Sequence, residues 1–166
     1  MQIKITKDLK NSNITMENIS RTSNYLNEIT YLYNNNFKNS PHRKKYKQEM
    51  WNDKLRNSII LVLKSNSNII GFLESWNKQR YPNIQILVSI FIVPEHRRKD
   101  NAKLLFNEAK KLIMQNNSIN KIIVHFRDSK KETLEPFYEK LGFSNLKNVG
   151  NYTIKPETKW ELSINL

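Results

Sequence analysis

Alternating apolar and polar stretches divide the chain into short strands and helices, and the clearest of these patterns runs from Ile84 to Ile113. It begins with about ten almost entirely apolar residues, breaks at Pro94 and continues with apolar residues at helical spacing. A continuous apolar run bounded by a turn is typical of a strand that is buried on both faces. The pattern therefore predicts a central strand followed by an amphipathic helix over about Asn101–Gln115.

The residues before this segment predict further elements. QIKIT alternates as a short strand does, and Asn, Ser and Thr in the next stretch are typical of a loop. The turn sequence SNSN separates two apolar runs, which predicts an antiparallel hairpin. The predicted elements are a strand at Gln2–Thr6, a loop over Lys7–Ser20, a helix over Ser23–Asn36, a second helix within Pro41–Asn57, and hairpin strands at Ser58–Lys64 and Ile69–Trp76.

The residues after the segment complete the pattern. A strand at Lys121–Phe126 follows the amphipathic helix, and a strand–helix–strand order of this length predicts a parallel crossover. A short helix follows, from near Thr133 to Leu141, and Gly142 should end it. We start it near Thr133 because Pro136 is tolerated only in a first turn. Closing strands are expected at Asn151–Ile154 and Lys159–Leu166.

Composition restricts the class of protein. The chain has 166 residues, 38% hydrophobic and 26% charged, which suits one folded domain spanning residues 1–166. No apolar run approaches the roughly 18 residues that a membrane helix needs, and the N-terminus does not resemble a signal peptide. There is no Cys, and three scattered His have no metal-ligand spacing. We expect a cytoplasmic protein without a metal site and without a membrane partner.

The formal net charge of +13 has two explanations. One is an anionic partner, either a nucleic acid or a phosphate-rich cofactor. The other is compositional drift, because the chain is crowded with Asn, Lys and Ile. The basic run at residues 42–45 is ambiguous in the same way, since it suits a binding patch or a solvated helix start. In either case, the charge argues against a strongly cationic substrate.

A second cluster of cations has a clearer meaning, because Arg97, Arg98 and Lys99 lie where the amphipathic helix begins. The first turn of a helix presents unpaired backbone N–H groups and a partial positive charge. Cations and amides that converge in this way form an anion site, which indicates a ligand with phosphate groups.

Two segments together resemble the Gcn5-related N-acetyltransferase (GNAT) superfamily: IFIVPEHRRKDNAKLLFNEA at Ile90–Ala109 and FYEKLGF at Phe137–Phe143. The first is similar to the family's central motif, and the second matches a family segment residue for residue. The resemblance implies an α/β (α+β) fold with a mixed, mostly antiparallel sheet of six to seven strands and about four helices. The sheet should splay between two parallel central strands, with acetyl-CoA as co-substrate in the gap.

The resemblance also implies which residues hold the cofactor. The backbone of Ile90, Phe91 and Ile92 would pair with the pantetheine arm. The pyrophosphate would be held by the next segment, which comprises Arg97, Arg98, Lys99, Asp100, Asn101, Ala102 and Lys103. Asp100 departs from the family pattern, which has glycine there. Aspartate tolerates the left-handed region and can cap a helix, but it brings negative charge toward a phosphate.

For catalysis, the resemblance implies that Tyr138 protonates the leaving thiolate, as a phenol that is protonated at neutral pH. The alternative is that Tyr138 has only a structural role and packs in the core. The general base is open between Glu74 (our first choice), His125 and a water chain. Structural explanations compete for both side chains, because a strand carboxylate often faces solvent and a lone strand histidine is often a core or edge residue. The predicted central strand offers only Gln85 and Ser89 as polar side chains, and neither is a base.

The sequence therefore predicts an acetyl-CoA-dependent N-acetyltransferase acting on a primary amine of a small molecule, peptide or protein. Two alternatives stay open. One is acetylation of an RNA-bound amine such as that of an aminoacyl-tRNA, because basic charge suits phosphate contacts. The other is a non-catalytic module that binds CoA or nucleic acid, with a degenerate cofactor loop at Asp100. The expected state is a monomer or homodimer.

Overall fold

The computed structural model describes residues 4–6, 14–18, 25–36, 58–78, 80–153 and 156–166. These residues form eight strands, three α-helices and two short 3₁₀ turns, at Pro94–His96 and Asp128–Lys130. In chain order the longer elements are β1 (Lys4–Thr6), β2 (Ile14–Asn18), α1 (Leu26–Asn36), β3 (Ser58–Ser65), β4 (Asn68–Lys78), β5 (Tyr81–Ile92), α2 (Asn101–Met114), β6 (Lys121–Arg127), α3 (Lys131–Glu139), β7 (Ser144–Asn151) and β8 (Thr158–Asn165).

All eight strands join one sheet in the order β1-β2-β3-β4-β5-β6-β8-β7. The pair β5–β6 is parallel, and every other neighbouring pair is antiparallel. Helix α2 makes the crossover between the two parallel strands, because they need a long connection to run in the same direction. The predicted mixed, mostly antiparallel sheet with two central parallel strands is confirmed.

The two parallel strands, β5 and β6, separate partway along their length. Their pairing runs from Ile84 opposite Lys121 to Leu87 opposite Val124 and then ends, although β5 continues to Ile92 and β6 to Arg127. The sheet is therefore splayed at the carboxyl ends of β5 and β6. In sheets of this kind, ligands bind beyond the carboxyl ends of strands, where neighbours separate.

A β-bulge lies at the level where the splay begins. Glu74 of β4 pairs with Ser89, but the next residue, Ser75, pairs with Leu87, so Val88 is an extra residue in β5. A bulge shifts the side-chain alternation by one residue. Leu87 and Ile92, an odd and an even position, consequently belong to the same core cluster. Because β5 is almost continuously apolar, its sequence does not reveal this change in the alternation of its side chains.

The sheet has a hydrophobic core on each face. On one face α2 and α3 cover the larger core, in which α2 buries Leu105, Phe106, Ala109 and Ile113. On the other face α1 buries Leu26, Ile29 and Tyr33 against β3, β4 and β5. We call these the α2 face and the α1 face. The two faces place β5 in the interior, as its apolar sequence predicts.

Two strand predictions near the ends of the chain were wrong. The segment predicted as a loop over Lys7–Ser20 contains β2, which pairs with β1 and β3 and buries Met16. The predicted strand at Asn151–Ile154 is replaced by β7, an edge strand whose residues are almost all exposed. Both real strands lack a clear apolar pattern, because backbone pairing rather than side-chain burial holds them in the sheet.

The helix that carries FYEKLGF begins earlier than we predicted, at Lys131 rather than near Thr133. Pro136 therefore lies inside the helix, and the carbonyl that loses its helical donor belongs to the exposed residue Glu132, where water can bond to it. At the other end, Gly142 has φ +95°, its N–H donates to Glu139, and Phe143 N–H donates to Tyr138. This is a Schellman cap, so the predicted stop at Gly142 is confirmed.

The predicted strand Gln2–Thr6 and the predicted helix Ser23–Asn36 are found as β1 and α1, within the described residues. The predicted second helix within residues 41–57, together with the basic run at 42–45, lies outside them. Among the described residues, no helix has the length and apolar composition required to span a membrane.

Candidate active site

A cavity of about 670 Å³ opens at the carboxyl end of β5, between the start of α2 and the length of α3. Its position coincides with the splay between β5 and β6. The residues that line it come from four places in the sequence: Asn36 at the end of α1; Ile90, Phe91 and Ile92 of β5; His96, Arg97, Arg98, Asp100, Asn101, Ala102 and Lys103 around the start of α2; and Thr133, Leu134, Phe137, Lys140 and Leu141 of α3 and its cap.

The lining divides into an apolar part and a cationic part. Ile90, Ala102, Leu134, Phe137 and Leu141 form apolar walls. The cations are Arg97, Arg98, Lys103 and Lys140, and Asp100 is the one acidic residue among the described residues that line the cavity. This arrangement suits a ligand with a long, weakly polar arm and a phosphate-bearing end.

The loop that enters α2 has the backbone of an anion site. Arg98 and Asp100 both adopt left-handed conformations, with φ of 57° and 56°. Alternation of this kind turns successive N–H groups toward one point. Asp100 occupies the N-cap position of α2, yet its side chain makes no capping hydrogen bond. The ability of aspartate to take the left-handed region is therefore used here, and its ability to cap is not.

Two side chains fix this loop on the end of β5. Arg97 donates from Nε to the carbonyl oxygen of Ile92 at 2.9 Å. Asn101, which is buried, donates from Nδ2 to the carbonyl oxygen of His96 at 2.9 Å. Arg97 thus serves a structural contact as well as contributing positive charge, because its Nε ties the loop to the strand that lines the cavity.

The structure brings the sequence-predicted cofactor residues together with one exception. All ten except Lys99 line the cavity, whereas Lys99 is exposed and is not among the lining residues. Sequence reasoning missed the α3 wall, Asn36 and His96. The signal for three of the missed residues was present, because Phe137, Lys140 and Leu141 belong to the FYEKLGF segment.

Tyr138 lies in the core rather than in the lining of the cavity. Its side chain is buried and its ring contacts Phe126, Phe137 and Phe143, with ring centroids 6.1, 5.1 and 5.6 Å away. Phe137, the next residue, does line the cavity. The assignment of Tyr138 as the acid stays a prediction, and its ring is held firmly by three aromatic neighbours.

Glu74 is 1% exposed, so it does not face solvent. It lies on β4 opposite Ser89, and Ser89 Oγ donates to Glu74 Oε2 at 3.4 Å. Because Glu74 is two residues from Phe72 and Ser89 is two residues from Phe91, both side chains lie on the α1 face. Gln85, the other buried polar residue of β5 besides Ser89, donates to Ser75 Oγ at 3.0 Å on the opposite face.

His125 lies on β6, directly opposite Glu161 of β8. Its Nε2 is 2.8 Å from Glu161 Oε2, and Lys147 of β7 places Nζ 3.0 Å from Glu161 Oε1. Burial raises the pKa of Glu161, but hydrogen bonds with Lys147 and His125 outweigh that effect and hold the pKa below its ordinary value. Glu161 is therefore an anion in a mostly buried position.

Comparison with known proteins identifies the fold that carries this site. The model of the acetyltransferase (GNAT) domain matches residues 21–152. The chain belongs to the GNAT acetyltransferase family. No curated protein matches the sequence.

Solved structures of GNAT proteins superpose on most of the chain. Spermidine N-acetyltransferase from Vibrio cholerae, in complex with CoA and spermine, has a TM-score of 0.71 and 21% identity, covering 92% of this chain and 95% of that one. An acetyltransferase of the GNAT family from Streptococcus pneumoniae has a TM-score of 0.70 and 15% identity, covering 92% and 99%. PaiA N-acetyltransferase from Thermoplasma acidophilum, in complex with coenzyme A, has a TM-score of 0.65 and 16% identity, covering 89% and 97%. At these identities the likeness shows the fold.

Proposed function

We propose that this GNAT protein transfers the acetyl group of acetyl-CoA to a primary amine. The observation that carries the proposal is the cavity at the splay, where apolar walls, four cations and the first-turn amides of α2 meet. A ligand that combines a pantetheine arm with phosphates matches both parts of this lining. Two of the similar structures contain CoA, which supports the same choice.

The residues of the chain fit this donor in a definite order. Ile90 and the apolar side chains of α3 would contact the pantetheine arm, and the backbone of Ile90–Ile92 would pair with it. Arg98, Lys103 and the amides at the start of α2 would hold the pyrophosphate. Lys140, on the opposite wall, adds a further cation for the phosphates. Acetyl-CoA supplies the activated acetyl group, and the chain supplies position and proton transfer.

Acetyl transfer to an amine makes three chemical demands on the chain. A backbone N–H at Ile92 or its neighbour would stabilise charge on the acetyl oxygen. Tyr138 would donate a proton to the departing sulfur, because a phenol is protonated at neutral pH. A base must take the proton of the amine, and Glu74 and His125 are the two candidate side chains, beside a water chain.

The acceptor is proposed to carry one amine rather than several. The chain is strongly basic, with a net charge of +13, and Glu161 on the α1 face is already paired with Lys147 and His125. A polyamine such as the substrate of spermidine N-acetyltransferase would need unpaired carboxylates along its length. A monoamine needs only one polar contact at the reacting nitrogen.

The test is a two-stage assay on the purified protein. First, binding of acetyl-CoA is measured by calorimetry and by thermal stabilisation. Then release of the CoA thiol is followed with a panel of acceptors: 2-phenylethylamine, spermidine, a peptide with a free N-terminus, a lysine peptide and an aminoacyl-tRNA. We expect micromolar binding and turnover of at least one monoamine. Absence of any thermal shift at saturating acetyl-CoA would overturn the proposal.

Tyr138→Phe tests the acid within the same assay. The substitution removes only the hydroxyl and keeps the ring contacts, so cofactor affinity should change little while kcat falls about 10²-fold or more. Tyr31→Phe is the matched control, because Tyr31 is an exposed tyrosine of α1. Unchanged kcat in Tyr138→Phe would exclude Tyr138 as the acid while leaving the acetyltransferase proposal intact.

A further inference from the structure

A row of polar side chains crosses the α1 face of the sheet at the level of the splay. Glu74 pairs with Ser89, which lies next to the bulge. On the other side of the gap, His125 is the residue after Val124, where pairing between β5 and β6 ends. His125 and Lys147 both lie opposite Glu161. The strand register thus sets Glu74 and His125 on either side of the point at which the central strands separate.

The part of this row on β6, β8 and β7 is tightly connected. Glu161 uses one carboxylate oxygen for His125, at 2.8 Å, and the other for Lys147, at 3.0 Å. With both oxygens engaged, the carboxylate has one orientation, and it fixes the imidazole ring. In the neutral tautomer that donates Nε2–H to Glu161, the proton-accepting nitrogen of the ring is Nδ1.

Exposure distinguishes His125 from Glu74. The His125 side chain is 21% exposed, whereas Glu74 as a residue is 1% exposed. A base must pass its proton to water after every turnover, and a partly exposed imidazole does this readily. A carboxylate on its far side stabilises the imidazolium that forms.

We propose that His125 accepts the proton that the acceptor amine loses, and that Glu161, held by Lys147, positions His125 for this transfer. The inference rests on the proposed acetyltransferase function and decides between its two candidate bases. Glu161 and Lys147 act through His125 and are positioning residues.

The amine nitrogen forms a bond to the acetyl carbonyl carbon, and the bond between that carbon and sulfur breaks. His125 receives one proton from the nitrogen and becomes imidazolium beside the Glu161 carboxylate. Tyr138 donates one proton to the thiolate sulfur and is reprotonated from solvent, to which His125 releases its proton. The products are the N-acetylated amine and CoA thiol.

The charges around His125 set the sign of the expected pH effects. On the α1 face, the described charged groups near it are Glu161 alongside, Lys147 behind Glu161, Arg127 and Lys159 in the next cross-strand pair, and Glu74 across the gap. Removing a neighbouring anion lowers the pKa of an imidazole, and removing a neighbouring cation raises it. Glu161→Gln and Lys147→Met should therefore move the pKa of His125 in opposite directions.

The first experiment measures this directly, without substrate. Imidazole NMR signals of the full chain are titrated from pH 5 to 9 in wild type, Glu161→Gln and Lys147→Met, with His125→Gln to assign the signal and His96 as internal reference. We expect a lower pKa of His125 in Glu161→Gln and a higher one in Lys147→Met. Shifts of the same sign, or none, would overturn the positioning role.

The second experiment is the pH profile of kcat/KM with acetyl-CoA and the fastest acceptor of the panel. His125→Gln should lower kcat/KM about 10²–10⁴-fold and remove the ascending limb that tracks the NMR titration. The limb should move to lower pH in Glu161→Gln and to higher pH in Lys147→Met. Lys110→Met, which removes a cation on α2 far from this face, should leave the limb in place.

The outcomes separate the two proposals. If wild type turns over an amine and His125→Gln does so equally well, or if Glu74→Gln and not His125→Gln removes the ascending limb, only the inference about His125 fails. If wild type binds acetyl-CoA but acetylates none of the amines, the proposed function fails and the inference fails with it.

Discussion

Gly71 of β4 lies directly against the backbone carbonyl of Phe91 in β5. A Cβ atom at Gly71 would be 2.7 Å from that carbonyl oxygen and 2.5 Å from Cδ1 of Ile92. Such distances are shorter than van der Waals contact, so only glycine allows β4 to approach this part of β5. Phe91 and Ile92, the two residues that Gly71 contacts, both line the cavity, which connects a packing requirement on β4 to the geometry of the site.

Gly71→Ala should therefore push β5 away from β4, lower stability by about 1–3 kcal/mol and weaken acetyl-CoA binding. For a chain of this size that loss corresponds to roughly 2–10 °C in Tm. Thermal unfolding and calorimetric titration check both effects. Adding Ile92→Val removes Cδ1 and should restore part of the stability, although the clash with the Phe91 carbonyl persists. No recovery in the double variant would mean that Ile92 Cδ1 is not the obstacle.

Asp100→Gly should tighten acetyl-CoA binding and also raise stability. Glycine adopts the left-handed conformation of residue 100 without the steric cost that a Cβ brings, and the substitution removes a carboxylate from the cavity lining. We expect an affinity gain of about three- to tenfold at low salt, measured by calorimetry.

Asp100→Asn separates the effect of the carboxylate charge from the effect of the left-handed backbone conformation. Asparagine also tolerates the left-handed region, so it should retain the gain from charge and lose most of the gain in stability. The gain from charge should shrink as salt is raised. A weaker complex in Asp100→Asn would show that the carboxylate contributes to binding instead of opposing it.

Lys140→Met should weaken acetyl-CoA binding about three- to tenfold and reduce its salt dependence, because Lys140 is the cation on the α3 wall of the cavity. The binding constant is measured at low and high salt. Lys130→Met is the matched control, since Lys130 is an exposed lysine of the turn before α3 and is not among the cavity residues. Equal losses in the two variants would indicate a general effect of net charge.

Glu157→Gln should make stability less dependent on pH in the acid range. Hydrogen bonds from the side chain and backbone of Ser129, outweighing desolvation and aided by Arg127, lower the pKa of Glu157 from the ordinary value of 4.5. The folded state then binds fewer protons than the unfolded state, so Glu157 contributes stability above pH 4.5 and loses it as pH falls through the lower folded value. Urea unfolding between pH 3 and 7 measures the slope.

Ser129→Ala provides an intermediate case for that measurement. It removes the hydroxyl but keeps the backbone N–H, which donates to Glu157 Oε1 at 2.6 Å. The slope of unfolding free energy against pH should fall between those of wild type and Glu157→Gln. Identical slopes in wild type and Glu157→Gln would contradict the assignment of this acid dependence to Glu157.

Local sequence was sufficient to predict the structure wherever the residues of one contiguous segment determine its conformation. The apolar run, Pro94, the three cations and the amphipathic pattern predicted the turn and α2 almost to the residue, whereas β5 begins at Tyr81, three residues before the predicted start at Ile84. Gly142 predicted the end of α3 because a left-handed residue after a helix is a local requirement. Most of the cofactor wall followed from the same segment, since it is contiguous in sequence.

Local sequence failed where pairing between distant strands decides the outcome. Strand β2 has one buried residue and is held between β1 and β3 by its backbone. Pro136 suggested a later start for α3, yet the helix tolerates it because the carbonyl it leaves unbonded is on an exposed residue. The contacts of Glu161 with His125 and Lys147 join residues of three different strands, so no local sequence motif indicates them.

The sequence by itself determined the central strand–helix–strand unit of β5, α2 and β6, the family and the chemistry available for holding a phosphate-bearing donor, because each of these depends on residues close together in the chain. Only the tertiary structure decided that Val88 bulges out of β5, that Glu74 is buried, and that His125 is fixed by Glu161 at the edge of the splay. The physical reason is that register and burial are properties of the assembled sheet. A side chain acquires its neighbours across the strands only when the backbone pairing of all the strands is complete.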